Sequence, residues 1–223
     1  MIADILPAEV IAVEAFDDPP GVVLFPEEEA VLARAVPKRR REFTTARGCA
    51  RAALAGLGLP PAPLVPGPRG APQWPAGVVG SITHCDGYRA AAVARQQDVV
   101  TLGLDAEPAG PLPDKVIGIA ASPDEQAWVR ELGLARPDVC WDRLLFCIKE
   151  SVYKAWYPLA QRWLDFKEAA VTVDPDAGTF AAALLIPGPM VGDRELSGFT
   201  GRWMISGGLV LTAIALPASS QDL

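Results

Sequence analysis

The sequence predicts an α+β fold in two halves, each an antiparallel sheet with packed helices, the halves related by a pseudo-twofold. Three observations predict it. Helical periodicity is strongest in two long runs, about residues 38–57 and about residues 138–157. Each run is followed by short stretches with strand composition, so the order helices-then-strands occurs twice. Asp86-Gly87 separates two of those stretches and suits the positive φ angles of a tight hairpin.

The elements follow in order. EVIAVEAF reads as a short strand. PEEEAVLARAV opens a helix, with Pro26 in its first turn and Glu27 to Glu29 at the positive end of the dipole. Pro37 breaks that run, and a second helix spans about Lys38 to Leu57 before Gly58 and Pro60 end it. Phe43, Ala46, Ala50, Ala53, Leu54 and Leu57 form its apolar stripe, with Arg47 and Arg51 together at the edge. Residues 60–75 hold seven prolines and predict a long irregular loop. VVGSITHC, YRAAAVARQ and DVVTLGLDAE then predict an antiparallel meander. In the second half, Ser122-Pro123-Asp124-Glu125 has the form of a capping box. A helix from about Asp138 to Tyr157 stops at Pro158, and AVTV, GTFAAALLI, GRWMIS and LVLTAIAL predict four strands. The halves are placed at 1–107 and 108–223.

Composition narrows the class of function. Half of the 223 residues are apolar, enough for a sizeable core. A net charge of −7 argues against general nucleic-acid binding. Six basic residues (Lys38, Arg39, Arg40, Arg41, Arg47 and Arg51) nevertheless stand with one acid, Glu42, in a segment of net +5, leaving −12 elsewhere. A local basic patch on an acidic protein suits one small anionic ligand. The early acids of MIADILPAEVIAVEAF do not read as a secretory leader, and no apolar run approaches the roughly 20 residues of a membrane span. Cys49, Cys85, Cys140 and Cys147 form no CxxC pair, which fits free thiols in a reducing cytoplasm.

Four stretches carry chemistry. In GLDAEP, Asp105 and Glu107 share one face of a strand because side chains alternate. They form either a salt-bridged strand end or two hard oxygen ligands for Mg²⁺ beside a phosphate. In the long second helix, Trp141, Leu145, Ile148, Val152, Ala155 and Trp156 define the buried face, and Arg143, Cys147, Glu150 and Lys154 the opposite one. Glu150 and Lys154, at i and i+4, are either a surface ion pair or a metal-side carboxylate and base beside a phosphate-facing lysine. His84, the one histidine, either is structural or donates to a phosphate. No P-loop, Rossmann turn or G-x-S-x-G elbow occurs, so bound phosphates would rest on KRRREFTTARGCAR, Arg41 excepted as a solvated residue.

Taken in order, KRRREFTTARGCARAAL, GSITHCDGYRAA, GLDAEP and FCIKESVYKAWYP resemble the 4′-phosphopantetheinyl transferases of the Sfp/EntD type, the actinobacterial ones in particular. The resemblance spans about residues 25 to 215. It implies that fold, and transfer of the phosphopantetheine arm of coenzyme A to a serine of an apo acyl or peptidyl carrier protein, with release of adenosine 3′,5′-bisphosphate. It further implies Asp105, Glu107 and Glu150 as ligands of Mg²⁺, or of Mn²⁺, and Glu150 as the base acting directly or through water. Lys154 is implied at the α-phosphate, Arg39, Arg47 and His84 around the coenzyme A phosphates, and Lys149 as a further basic contact. Pro66 stands where related sequences carry a loop lysine, a charge that Arg69 could supply. The expected protein is a cytoplasmic monomer meeting its carrier transiently through its C-terminal half. The carrier could serve fatty-acid, polyketide, non-ribosomal peptide or siderophore assembly. The rival readings are a non-catalytic coenzyme A or nucleotide binder and a Mg²⁺-dependent nucleotide phosphohydrolase.

Overall fold

The computed structural model describes residues 1–113 and 115–218. Its first half holds strand β1 (Ile11–Ala15), helices α1 (Pro26–Val31) and α2 (Pro37–Gly56), and strands β2 (Val78–Cys85) and β3 (Tyr88–Arg95). Strand β4 (Val99–Pro108) leads to helices α3 (Val116–Ala120), α4 (Pro123–Ala135) and α5 (Trp141–Ala160). Strands β5 (Ala169–Asp174) and β6 (Thr179–Leu184) follow, then a short ribbon of β7 (Met190–Val191) and β8 (Arg194–Glu195). Strands β9 (Gly198–Ser206) and β10 (Leu209–Pro217) complete the chain. The α+β architecture of antiparallel sheets with packed helices is the one the sequence predicts.

The meander needs correction. β2 and β3 form the predicted hairpin, His84 opposite Arg89, but β3's other edge is taken by β1, Val13 opposite Ala91. No edge of β3 is left for β4. It pairs instead with β10, Asp105 opposite Thr212, in a sheet ordered β4-β10-β9-β6-β5. β4 lies beside β2 all the same, joined by side chains. Ser81 Oγ accepts a hydrogen bond from the Leu104 amide at 3.0 Å, and Thr83 Oγ1 accepts from the Ala106 amide at 3.1 Å. Hydroxyls two residues apart, on one face of β2, thus satisfy alternate amides of β4 that would otherwise be buried without partners. The strand that ends the proposed N-terminal half is hydrogen-bonded into the sheet of the C-terminal half.

Helix α5 is the central element. Leu144, Leu145 and Ile148 are fully buried, and burying such side chains is worth about 1.5–3 kcal/mol each. The opposite stripe is only partly exposed: Arg143, Glu150 and Lys154 are half-buried, and Cys147 is at 0 % exposure between the helix and β10, where its thiol meets Thr212 Oγ1 at 3.3 Å. Gly103 is what lets α5 come this close to β4. A Cβ there would stand 2.0 Å from the Ser151 carbonyl oxygen, so only glycine fits. Pro158 does not stop the helix as expected. It sits in the last turn, where one lost backbone bond is tolerated, and Gln161, at φ 51°, closes the end by donating to the Tyr157 carbonyl at 2.9 Å.

The two halves also share a detail that element order alone did not reveal. α1 and α4 each begin with proline and carry a buried glutamate as their third residue, Glu28 and Glu125. Glu28 takes Arg51 of α2 at 2.9 Å and the Leu64 amide at 2.9 Å, which pins the proline-rich loop. Glu125 completes the predicted capping box with Ser122, and takes Lys149 of α5 and the Val171 amide of β5, the latter at 2.8 Å.

Candidate active site

A cavity of about 710 Å³ opens between the halves. Its walls come from α2, the proline-rich loop, β2 and the second half of α5. Arg39, Arg47, Arg69, His84, Glu150 and Lys154 all line it, so six of the predicted site residues meet in one space.

The basic end is built by selection among six cations. Lys38 pairs with Asp86 at 3.0 Å, Arg40 with Glu29, Arg41 with Asp18 at 3.8 Å and Arg51 with Glu28. Arg39 and Arg47 form no ion pair with any carboxylate among the described residues. Arg47 is 5 % exposed, donates from Nε to the Leu64 carbonyl at 2.7 Å and stacks 4.0 Å over the Phe43 ring. Burial lowers its pKa to about 10, so the guanidinium remains charged at neutral pH with much of its charge unanswered. Arg39 Nη1 lies 2.6 Å from His84 Nε2. An arginine there can only donate, so Nε2 accepts and the ring carries its proton on Nδ1. Burial and the neighbouring Arg39 both lower the His84 pKa, which favours the neutral imidazole. Arg69, at φ 59° on a turn of the proline-rich loop, reaches the cavity and stacks 5.5 Å from the Trp163 ring. Pro66 lines the same wall.

Asp105 and Glu107 do not line the cavity; Asp105, 5 % exposed, lies behind Lys154. Its Oδ1 accepts from Lys154 Nζ at 2.7 Å and from Thr83 Oγ1 at 3.1 Å, while the buried Oδ2 has no partner among the described residues. Lys154 also donates to the Leu104 carbonyl at 2.9 Å. Burial alone would lower the lysine's pKa, but Asp105 outweighs it and the net shift is upward, so Lys154 is a firm cation. Glu150 lies on the same helix face one turn earlier. Burial, then the charges of Asp105 and Glu107, raise its pKa, with Lys154 acting the other way. Glu107 is raised for the same first two reasons, burial and Asp105, and is held by Arg143 Nη1 at 2.9 Å. Arg143 fixes the following loop too, donating to the Gly110 and Pro111 carbonyls. Arg143 and Thr83 are the two residues that sequence reasoning did not assign. Their signal was position: Arg143 opens the stripe of Glu150 and Lys154, and Thr83 stands inside S-I-T-H.

Whether a divalent cation fits can be judged from these groups. No three of the His, Cys, Asp and Glu side chains of the described residues, Asp105, Glu107 and Glu150 included, stand close enough to hold a metal ion as they are placed. Lys154 and Arg143 stand against two of the carboxylates. The donor chemistry does fit: three carboxylates whose fields reach one another are hard oxygen ligands, and one buried carboxylate oxygen is without a partner.

Lys149 needs a correction of place. It does not present its ammonium to the cavity. It is 3 % exposed and bonded to Glu125, to the Phe166 carbonyl at 2.5 Å and to the Ala169 carbonyl at 2.7 Å.

A cavity lined by Arg39 and Arg47 at one end and by Glu150 and Lys154 at the other, with Asp105 and Glu107 behind that end and outside the lining, is the arrangement of a protein that handles an anionic ligand. Comparison with known proteins identifies which. Residues 27–94 match the family model of the 4′-phosphopantetheinyl transferase N-terminal domain, and residues 101–192 that of the 4′-phosphopantetheinyl transferase superfamily. The chain is 61 % identical over 221 residues to the 4′-phosphopantetheinyl transferase Svp of Streptomyces mobaraensis, covering 98 % of this chain and 90 % of the relative. It is 49 % identical to Npt of Nocardia iowensis, over 96 % and 99 % of the two chains. It is 46 % identical to PptT of Mycobacterium tuberculosis, over 97 % and 98 %. The chain belongs to the 4′-phosphopantetheinyl transferase superfamily, and its activity is that of the family, transfer of the phosphopantetheine arm to apo carrier proteins. Coenzyme A and carrier proteins are the partners this implies, and catalysis in the family is generally metal-dependent. Among the described residues no helix is long and apolar enough to cross a membrane.

Proposed function

We propose that the cavity holds coenzyme A with its adenosine phosphates at Arg39, Arg47 and His84 and its diphosphate beside Lys154 and Glu150, Arg69 supplying the charge that Pro66 does not. The observation that supports this reading is the sharing of one 710 Å³ cavity by the two cations of α2 without carboxylate partners and by Glu150 and Lys154. Charge-assisted bonds from such cations are worth about 1.5–3 kcal/mol each. Asp105, Glu107 and Glu150 are the residues that would hold Mg²⁺, with Mn²⁺ as a substitute. When bound, the ion neutralises the diphosphate and stabilises charge on the leaving oxygen.

In the transfer, the carrier serine Oγ bonds to the phosphorus next to the arm while the bond from that phosphorus to the bridging oxygen breaks. Glu150 takes the serine proton, directly or through one water. Its raised pKa makes it a stronger base than an ordinary glutamate. Lys154 keeps its positive charge beside the phosphate as negative charge moves to the departing adenosine 3′,5′-bisphosphate. Positioning, rather than covalent chemistry by the protein, carries the reaction.

The division of labour follows the proposed halves, 1–107 for the nucleotide and 108–223 for Glu150, Lys154 and carrier docking. The protein works as a monomer on transiently docked carriers in a reducing cytoplasm, a setting in keeping with its free cysteines Cys49, Cys85, Cys140 and Cys147. One assay tests the reading: coenzyme A, Mg²⁺ and an apo carrier are incubated with the protein and the carrier is weighed. A mass gain of one phosphopantetheine arm is expected. Free phosphate instead would favour a phosphohydrolase, and neither product a simple binder. Glu150→Gln and Asp105→Ala should each abolish the gain while leaving a folded protein; near-normal gain by either variant removes that residue from the mechanism.

A further inference from the structure

Lys149 is the one basic residue of K-E-S-V-Y-K that the cavity does not use, and its surroundings are fully specified. Its ammonium lies 2.8 Å from Glu125 Oε1 and 2.9 Å from Oε2, and binds the Phe166 and Ala169 carbonyls. Three hydrogen-bond directions of a lysine are thereby filled by groups from two separate segments. The segment carrying the two carbonyls begins β5 and, with Trp163 and Leu164, walls a second space of about 200 Å³. Glu150 and Tyr153 line this space as well as the large cavity. Lys149 therefore ties three things together beside Glu150: the helix that carries it, the start of α4 through Glu125, and the wall opposite. Glu125 in turn holds the β5 backbone through the Val171 amide at 2.8 Å.

We propose that Glu125 and Lys149 form a positioning pair that sets the placement of Glu150 against the wall of residues 163–169, and that Lys149 makes no contact with coenzyme A. The inference rests on the assignment of Glu150 as the base. A buried ion pair of this kind contributes little net stability against an apolar pair of the same volume, yet leaves a costly unpaired charge when one partner is removed. What it does supply is a defined geometry. Displacing a reacting group by about 1 Å can cost on the order of 100-fold in rate.

The test is steady-state transfer to an apo carrier, with wild-type protein measured alongside so that failure of the functional reading, no transfer by wild type, is distinct from failure of the pair. In Lys149→Met, kcat should fall at least tenfold while KM for coenzyme A and calorimetric affinity for adenosine 3′,5′-bisphosphate stay within twofold. Glu125→Gln, which keeps a hydrogen-bonding side chain and removes the charge, should show the same split, and stands in if Lys149→Met does not fold. A rise in KM and loss of bisphosphate affinity with kcat retained would mean that Lys149 contacts the ligand, and would overturn the proposal. So would unchanged kcat and KM accompanied only by a lower Tm, which would make the pair a plain structural tie.

Discussion

Helices α2 and α5 are both twenty residues long and both flank the same cavity, yet they handle charge in opposite ways. On α2 four of the six cations each meet a carboxylate nearby, and exposed Arg39 and buried Arg47 meet none among the described residues. On α5 Lys149 is buried and the other charges are half-buried, and burial moves the pKa of Glu150 upward and that of Lys149 downward. The first arrangement suits binding, where surplus charge must be open to an incoming anion. The second suits chemistry, where a carboxylate has to be basic and a lysine has to stay put. The buried glutamates sharpen the contrast. Glu28 and Glu125 occupy the same place in their helices, but Glu28 holds the proline-rich loop through Leu64 and Glu125 holds Lys149, the neighbour of the proposed base.

The contrast can be broken most severely at Gly103. Gly103→Ala puts a methyl group into the Ser151 carbonyl, so α5 must separate from β4; a loss of about 3 kcal/mol or more in denaturant unfolding is expected, with transfer lost. On α2, Arg51→Ala leaves Glu28 buried and unpaired and should cost about 3 kcal/mol of stability. Arg47→Ala should spare most of that stability and instead weaken coenzyme A binding by roughly 10- to 100-fold, measured by calorimetry. Equal effects on binding from both arginines would erase the distinction between paired and free cations.

A smaller effect should come from Mg²⁺ alone. Because Glu150 and Glu107 have raised pKa values in the folded protein, their ionised forms lower stability as pH climbs from the ordinary glutamate value through the raised ones. On the proposed metal assignment, a cation held by these carboxylates would relieve this. A 100-fold excess over Kd stabilises by about 2.7 kcal/mol, so Tm should rise by several degrees, and by less than half as much in Glu150→Gln or at a pH below the raised values.

The smallest expected effect belongs to His84. Its pKa is lowered on folding, so the folded state is reluctant to take the proton that the unfolded chain accepts. Stability is thus complete above about pH 6.5 and declines as pH falls from there to the lowered value. On the proposed placement of a coenzyme A phosphate at His84, the bound anion would reverse the preference. Coenzyme A affinity should therefore strengthen modestly toward acid pH, and His84→Gln should flatten the profile.

Much of this was legible in the residues themselves. Proline at 26, 37 and 123, the Ser122–Glu125 capping box, Asp86-Gly87 and the seven prolines of 60–75 act through local sterics and hydrogen bonding, so their outcome does not depend on distant contacts. The candidate residues around the cavity were legible for a related reason: fixed periods of helix and strand put Asp105 with Glu107, and Glu150 with Lys154, on common faces before any tertiary contact is known.

Tertiary structure decided what local rules could not reach. Whether β4 continues a meander depends on which edge β1 occupies, a pairing across more than seventy residues. Which of six cations stay free depends on carboxylates brought in from elsewhere, Asp18, Glu28, Glu29 and Asp86. Lys149 looks identical to Lys154 in sequence, but five residues turn the helix by about 140° beyond one full turn, which sends the first to Glu125 and the second to Asp105. Propensity and period are properties of neighbours along the chain, whereas the partner of a charge is set by which segments the core packs together.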